Sequence, residues 1–125
     1  GGSRMLRLDI HVQSCSRIFE VLPEEVENAE LMVEDTASHG LLTLFDEVNV
    51  DDVTVRFSSA SHMGQRECSI KIQAQCSYQS FTLLPRTQEY MELAVGRCMC
   101  SLLKELFGPV TIDSVAVRTF FMADV

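Results

Sequence analysis

The sequence contains no tryptophan, only three prolines and six glycines, and aromatic residues make up 7% of it. No Gly-rich or Pro-rich linker and no low-complexity segment divides its 125 residues, so one domain is expected rather than two separate cores. No apolar run is long enough to span a membrane. No secretory signal follows Met5 either, because Arg7 and Asp9 interrupt the only candidate stretch. These absences predict a cytoplasmic protein that contacts no membrane.

The two ends of the chain affect how the domain is delimited. Residues 1–4 resemble a cloning scar ahead of Met5 and are left out of the fold prediction. Residues 5–125 are then predicted to form a single α+β domain. The chain ends at Val125 directly after a predicted strand, so it is also read as a possible head of a longer protein.

The cysteines indicate reduced thiols rather than a disulfide framework. Their number, five, is odd, and the chain is not short and rich in loops. Cys98 and Cys100 form a C-x-C on a predicted helix, where two residues correspond to about 200° of rotation, so their thiols point to different faces. There is no C-x-x-C. The pattern therefore predicts no metal site and no cofactor.

The chain is poor in basic residues, with 10 Lys and Arg against 18 Asp and Glu and a net charge of −8. A protein this acidic does not, as a whole, attract nucleic acid or anionic membranes. The composition therefore predicts a protein partner rather than a nucleic acid or a membrane.

The first half of the chain predicts a strand followed by a helix. Polar and apolar residues alternate over 5–14, which is typical of a half-buried strand. Residues 23–48 are acidic and carry apolar residues at helical spacing, beginning at Pro23. Gly40 after His39 is interpreted as the helix C-cap, with a second helical turn through Leu41, Leu44 and Phe45 as an option. Glu30–Glu34 is kept open as a short strand. Whether residues 17–22 form an extra strand or a loop is also left open.

The second half predicts a hairpin, a helix and a last strand. Alternation over 53–60 and 67–83, with Gly64 in the connection, predicts two paired strands. Asp51 and Asp52 are assigned to the connection before the first of them, where acids serve as turn residues. Residues 87–107 form a strongly amphipathic pattern with Thr87 as N-cap and Gly108–Pro109 as the stop. Residues 111–122 alternate once more and predict the final strand.

The predicted order is βαββαβ, the split βαβ arrangement of ferredoxin-like folds. This fold class is an α+β sandwich in which two helices cover one face of an antiparallel sheet. The core lies between helices and sheet, and the other face of the sheet stays open. Such an architecture does not by itself imply a function.

Charge is segregated between the two layers of this predicted fold. Most acidic residues fall on the helices, whereas the open sheet face carries four of the ten basic residues and Asp9 as its single evident acid. A solvated polar sheet face is the plain alternative, because exposed antiparallel faces are usually polar. Aromatic residues for base stacking are missing from the central strands, which again argues against RNA. The predicted binding face consists of Arg7, His11, Arg56, Lys71, Gln73, Arg118 and Phe120.

No set of residues predicts catalysis. His11 and Cys15 lie four apart on one strand, about 13 Å along it, which is too far for a nucleophile and its base. His39 is assigned to a helix end and His62 to a hairpin turn. The chain has no phosphate-binding glycine loop, no serine-hydrolase elbow and no H-E-x-x-H. We therefore predict no catalytic residues and favour a non-enzymatic protein.

Two functions are compatible with this pattern. The favoured one is a non-enzymatic protein-interaction or self-assembly domain that acts through its sheet face or edge, with a second copy as partner in a homodimer or larger assembly. The alternative is a small ferredoxin-like sensor or enzyme that holds an anionic small molecule over the basic sheet face. In that alternative, His11 is the acid–base group.

Overall fold

A computed structural model describes residues 3–14, 23–45, 48–62, 65–79, 88–108 and 110–122. Along these ranges the chain has the order βαββαβ, as the sequence predicts. The elements are β1 (Ser3–Ser14), α1 (Pro23–Leu44), β2 (Asn49–His62), β3 (Gln65–Gln79), α2 (Gln88–Phe107) and β4 (Thr111–Met122). Cys15, residues 17–22, Gly64 and Thr87 lie outside the described residues, so the predictions made for them stay predictions.

The four strands form one antiparallel sheet in the order β2-β3-β1-β4, which is the ferredoxin-like arrangement. β1 lies inside the sheet, where Leu8 is opposite Ala74 of β3 and Val117 of β4. Because side chains alternate along a strand, a slip of one residue would move every buried side chain to solvent. The apolar alternation of β1 therefore sets which face of the sheet is covered.

The core lies between that covered face and the two helices. Leu6, Leu8, Ile10 and Val12 of β1 are at most 1% exposed. Burying each such side chain contributes about 1.5–3 kcal/mol relative to leaving it in water. The helices close the core with a stripe of buried residues each: Val33, Ala37 and Leu41 from α1, and Met91, Val95, Met99 and Leu103 from α2.

The predicted helix end at Gly40 is wrong, because α1 continues to Leu44. Gly40 lies where α1 meets α2, and a Cβ at this position would lie 2.4 Å from Leu102 Cδ1 and 3.3 Å from Cys98 Sγ. A side chain at this position would require the end of the Leu102 side chain to move, so the close approach of α2 favours glycine. His39 consequently lies inside the helix rather than at its end, and Glu30–Glu34 is helical rather than a strand.

Other element ends also differ from the predictions. β1 begins at Ser3, so two residues that were left out of the fold prediction belong to the strand. β2 begins at Asn49, so Asp51 and Asp52 belong to a strand rather than to the connection before it. α2 ends as predicted, since Gly108 has a φ of 78°, a conformation that favours glycine. In the part of the chain described here, neither helix is long and apolar enough to cross a membrane.

Candidate interaction surface

The uncovered face of the sheet, called the open face below, carries the alternate residues of all four strands. Strand register arranges them in rows that run across β2, β3, β1 and β4. The Arg7 row is Asp52, Gln75, Arg7 and Arg118; the Asp9 row is Thr54, Gln73, Asp9 and Ala116; the His11 row is Arg56, Lys71, His11 and Ser114.

The structure brings together all seven residues of the predicted binding face. Six of them lie in the three rows defined above. The seventh, Phe120, is opposite Met5 at one end of the open face and is 46% exposed. These residues share a face because side chains alternate between the two faces of a sheet along strands that the sequence predicts correctly. Their role in binding stays a prediction.

Basic residues on the open face are neighbours of one another. Arg56 is directly opposite Lys71, and Arg7 is directly opposite Arg118. Like charges opposite each other on adjacent strands are destabilising, where opposite charges would stabilise by roughly 0.2–1 kcal/mol. Within the described residues, the side chains of Arg56, Lys71 and Arg118 form no ion pair or hydrogen bond. Three members of the two cation pairs, Arg56–Lys71 and Arg7–Arg118, are therefore available to anionic groups of another molecule, whereas the fourth, Arg7, lies near Asp9.

The expectation that Asp9 is the single acid of this face is wrong. Asp52 joins the face because β2 begins earlier than predicted. Asp113 joins it at an irregularity in the pairing of β1 with β4, between His11 and Val12. A β-bulge of this kind redirects a side chain, and no local sequence signal marked it. The open face is thus mixed in charge, and its positive charge is concentrated in the two cation pairs.

Asp9 lies between the two cation pairs and is held by its neighbours. Gln73 Nε2 donates a hydrogen bond of 3.0 Å to Asp9 Oδ1. Arg7 Nε lies 3.8 Å from Asp9 Oδ2, and both side chains are partly exposed, so the ion pair is weak. The middle of the open face therefore keeps a negative charge.

His11 forms a pair with Asp113, a residue that sequence reasoning did not assign to the site. His11 Nδ1 lies 2.7 Å from Asp113 Oδ2, and both side chains are roughly half exposed. Ser114 is opposite His11 but makes no hydrogen bond among the described residues. A general base needs its nucleophile within about 2.6–3.2 Å, so this arrangement resembles a surface polar contact more than a catalytic pair.

On each outer strand of the sheet, a glutamate from a helix accepts a hydrogen bond from one backbone N–H. On β2, the Phe57 N–H donates to Glu30 Oε2 at 3.0 Å. On β4, the Val117 N–H donates to Glu92 Oε1 at 3.3 Å. Sequence reasoning counted both glutamates as part of the acidic helical surface and missed these contacts. Occupied backbone donors and inward-pointing charges protect a sheet edge from pairing with another strand.

The described thiols are placed as the sequence predicts, away from one another. Cys98 Sγ donates to the Gly40 carbonyl at 3.8 Å, whereas Cys100 Sγ donates to the Val110 carbonyl at 3.9 Å. Burial, followed by the nearby Asp51 charge, raises the pKa of Cys76 to about 11, and burial also raises the pKa of Cys98. Raised pKa values keep both thiols protonated at neutral pH and make them poor nucleophiles.

A second, acidic groove lies between α1 and β2. It has a volume of about 360 Å³ and is lined by four carboxylates together with Leu31, Ser38, Val50 and Val53. The carboxylates are Glu34, Asp35, Asp51 and Asp52. Among the described residues, no group of three or more histidine, cysteine, aspartate or glutamate side chains is arranged to hold a metal ion. The groove shares Asp52 with the open face, so it places negative charge along the β2 side of that face.

Comparisons with known proteins add little to this description. No family model matches the chain, and the search of curated proteins finds no match. Among solved structures, the full extracellular region of zebrafish Gpr126/Adgrg6 is similar, with 16% sequence identity and a TM-score of 0.47. The match covers 93% of this chain and 13% of that chain. A similarity this distant carries no inference about function.

Proposed function

We propose that this protein is a non-enzymatic interaction domain whose open face binds an acidic surface of another protein. The observation that carries the proposal is the presence of two cation pairs whose basic side chains lie opposite each other. Arg56, Lys71 and Arg118 lack a counter-charge among the described residues. A partner carboxylate at each pair would replace repulsion by attraction, and such contacts favour specificity and fast association.

The face is favoured over the edge as the binding surface. The sequence allows either, but Glu30 and Glu92 occupy backbone donors on the two outer strands. A partner strand that paired at either position would displace a charged hydrogen bond from a carboxylate, which is stronger than a neutral one. The open face requires no such displacement.

An anionic small molecule is disfavoured as the ligand. The groove on the open face is lined by Arg7, Asp52, Thr54, Gln73, Ala74 and Gln75, and its volume is about 90 Å³. Small-molecule sites are usually clefts of about 300–1,000 Å³ that bury most of the ligand. The groove is too small to enclose a metabolite, whereas a flat, charged surface is suitable for a macromolecule.

A second copy of the chain is a less favourable partner than a different acidic protein. In a symmetric dimer through the open face, the same surface would face itself, so a cation pair near the symmetry axis would meet its own copy. Contact between the open face and the acidic helices of another copy is head-to-tail and does not close into a dimer. Self-association stays a prediction of the sequence, and a native mass measurement distinguishes it.

We also propose a reducing compartment such as the cytoplasm. Cys76, Cys98 and Cys100 are free thiols in the described part of the chain. Free, partly or fully buried thiols are common in reducing compartments, where disulfides are rare. Native mass spectrometry after non-reducing purification would give the mass of the fully reduced chain, and a disulfide-linked form would contradict this location.

Binding of a labelled, short polyglutamate peptide tests the proposed function. Fluorescence anisotropy would be measured at about 0.1 M salt, where the screening length is about 10 Å and long-range repulsion from the acidic protein is reduced. We expect saturable binding to the unaltered protein. Lys71→Gln and Arg118→Gln should each weaken it by about two- to fivefold, and more when combined.

The matched control is Arg97→Gln, which removes an exposed positive charge from α2 on the opposite side of the domain. This variant should bind the peptide as the unaltered protein does. Equal weakening by Arg97→Gln, or no binding by the unaltered protein, would contradict the proposal.

A further inference from the structure

The His11 row places three nitrogen-bearing side chains on adjacent strands of the open face. Arg56 of β2 is opposite Lys71 of β3, and Lys71 is opposite His11 of β1. Arg56 and Lys71 are exposed, and the His11 side chain is 41% exposed. Residues directly opposite each other lie about 5 Å apart, so the three positions span about 10 Å. The three side chains are therefore close enough to contact one small anionic group.

Asp113 orients His11 within this row. His11 Nδ1 lies 2.7 Å from Asp113 Oδ2, and Asp113 belongs to β4, on the side of His11 away from Lys71. An ionised carboxylate accepts hydrogen bonds but cannot donate them, so we assign the proton of this contact to Nδ1. Nε2 forms no hydrogen bond among the described residues. When an anion approaches, it favours the protonated ring, in which Nε2 is also a donor.

The carboxylates of the open face do not neutralise the cations of this row. Neither Arg56 nor Lys71 forms an ion pair within the described part of the chain. Asp9 is two residues from His11 along β1, about 7 Å, and Asp52 is four residues from Arg56 along β2, about 13 Å. The row therefore keeps its positive charge, and an anion from another molecule would relieve the repulsion between the neighbouring cations.

Hydroxyl groups lie beside the row, one step further along β2 and β3. Ser58 and Ser69 are opposite each other, and their Oγ atoms lie 2.7 Å apart. One hydroxyl donates to the other in this contact, so the second keeps a proton for a further acceptor. The two serines are two residues, about 7 Å, from Arg56 and Lys71. They add an uncharged donor at one side of the row.

A phosphate monoester matches this set of donors better than a carboxylate does. A carboxylate carries one negative charge on two oxygens, whereas a phosphorylated serine carries about −1.5 to −2 charges on three acceptor oxygens. An arginine binds two such oxygens with its planar guanidinium, and a lysine acts as a point charge. Arg56, Lys71 and His11 can thus each contact an oxygen of the same phosphate group.

The exposure of the row favours a phosphate that belongs to a peptide over a free one. A free phosphate would be bound from one side and stay in water, where exposed ion pairs contribute little. A peptide adds contacts on both sides of its phosphate. Gln73 and Gln13 lie in the two neighbouring rows and carry amide groups that can bond its backbone.

From these contacts we infer that the His11 row recognises a phosphoserine or phosphothreonine in a segment of a partner protein. Arg56 and Lys71 neutralise the charge of the phosphate, and protonated His11 donates from Nε2 to one of its oxygens. This inference rests on the proposed function, because it specifies the acidic group that the open face binds at one of its cation pairs.

Three labelled peptides of equal length test the inference by fluorescence anisotropy at about 0.1 M salt. All three consist of glutamates around two variable positions. The phosphopeptide has phosphoserine and serine at these positions, and the second peptide has glutamate and serine. The third has glutamate at both, so its charge matches that of the phosphopeptide. We expect the phosphopeptide to bind about fivefold more tightly than either of the others.

Variants of the protein assign the preference to the His11 row. Arg56→Gln and Lys71→Gln should each reduce the preference for the phosphopeptide to about twofold or less. His11→Ala should weaken the phosphopeptide and leave the affinity of the other two unchanged. Arg118→Gln removes a cation from the other cation pair, so it should weaken all three peptides and preserve the preference. Arg97→Gln, on α2, should change none of the affinities.

Two competitors test whether the phosphate belongs to a peptide. Inorganic phosphate should displace the labelled phosphopeptide only at concentrations far above those at which the unlabelled phosphopeptide does. Phosphatidylcholine vesicles that contain phosphatidic acid should not displace it. Displacement by either competitor at the same concentration of phosphate groups as the unlabelled phosphopeptide would identify a free phosphate or a lipid head group as the ligand and overturn the inference.

The outcomes distinguish this inference from the proposed function. Equal affinity for the phosphopeptide and the charge-matched peptide, with both weakened by Lys71→Gln, would overturn the inference and leave the acidic-partner proposal standing. A preference that survives both Arg56→Gln and Lys71→Gln would locate the phosphate elsewhere and overturn the inference as well. Binding of none of the peptides, or binding unaffected by any open-face variant, would overturn both proposals.

Discussion

At the scale of single residues, two helical glycines differ in the space that is available for an added Cβ. Gly40 lies inside α1 and Gly96 inside α2. A Cβ at Gly40 would lie 2.4 Å from Leu102 Cδ1, whereas a Cβ at Gly96 would meet Val115 Cγ2 at 3.5 Å, an ordinary contact. Both positions gain helix propensity from alanine, but only Gly40 has to displace a neighbour.

We expect Gly40→Ala to destabilise the protein and Gly96→Ala to stabilise it. Overpacking at Gly40 costs about 1–3 kcal/mol, which exceeds the gain in helix propensity of about 1 kcal/mol. Gly96→Ala keeps most of that gain. Urea unfolding of both variants measures the free energies. Stabilisation by Gly40→Ala would contradict this expectation and show that the Leu102 side chain moves aside at little cost.

Cys76 should make the stability of the protein depend on alkaline pH. Its pKa is raised from 9.0 to about 11 in the folded state, chiefly by burial. The unfolded chain therefore loses this proton first, and stability falls as pH rises from 9 to 11.

The Cys76→Ala variant isolates this effect. It lacks the thiol, so the stability difference between the unaltered protein and the variant should shrink by up to about 2–3 kcal/mol across that pH range. Unfolding at several pH values measures the difference. A difference that stays constant with pH would contradict the raised pKa.

At the scale of elements, period-two alternation predicted the strands correctly because one face of each strand is buried. The end of α1 was mispredicted because Gly40 resembles a cap, and only the crossing with α2 explains it. The start of β2 was mispredicted because Asp51 and Asp52 resemble turn residues, although an outer strand tolerates exposed acids. Asp113 reaches His11 across 102 positions of sequence through a pairing irregularity, which no local pattern indicates.

The glutamates at the two sheet edges should protect the protein from aggregation. Glu30→Ala leaves the Phe57 N–H without its carboxylate, and Glu92→Ala does the same for Val117. A single hydrogen bond contributes about 0.5–1.5 kcal/mol, so each variant should lose about 1 kcal/mol of stability. The double variant should also aggregate faster, as measured by light scattering, because both edges become available for pairing.

Glu27→Ala is the matched control for the edge variants. Glu27 is an exposed residue of the same helix, and its side chain forms no hydrogen bond or ion pair among the described residues. It should change neither stability nor aggregation. Equal behaviour of Glu27→Ala and Glu30→Ala would mean that the loss of negative charge, and not the edge contact, determines the result.

At the scale of the whole molecule, the strongly acidic chain brings four of its ten basic residues together on one face. The net charge is −8, yet the open face carries two cation pairs. Alternation along the strands was sufficient to predict the seven residues of this face. Sequence reasoning could not predict which basic residues lie opposite each other, or that Asp52 and Asp113 join the face, because both depend on the register of strands distant in sequence.

Mapping the bound peptide on the protein by NMR tests the role of the open face most directly. Amide shifts of the labelled protein would be followed during titration with the polyglutamate peptide. We expect the largest changes at Arg7, Lys71 and Arg118, with α1 and α2 unchanged. Changes confined to the helices, or to the outer edges of β2 and β4, would contradict binding at the open face.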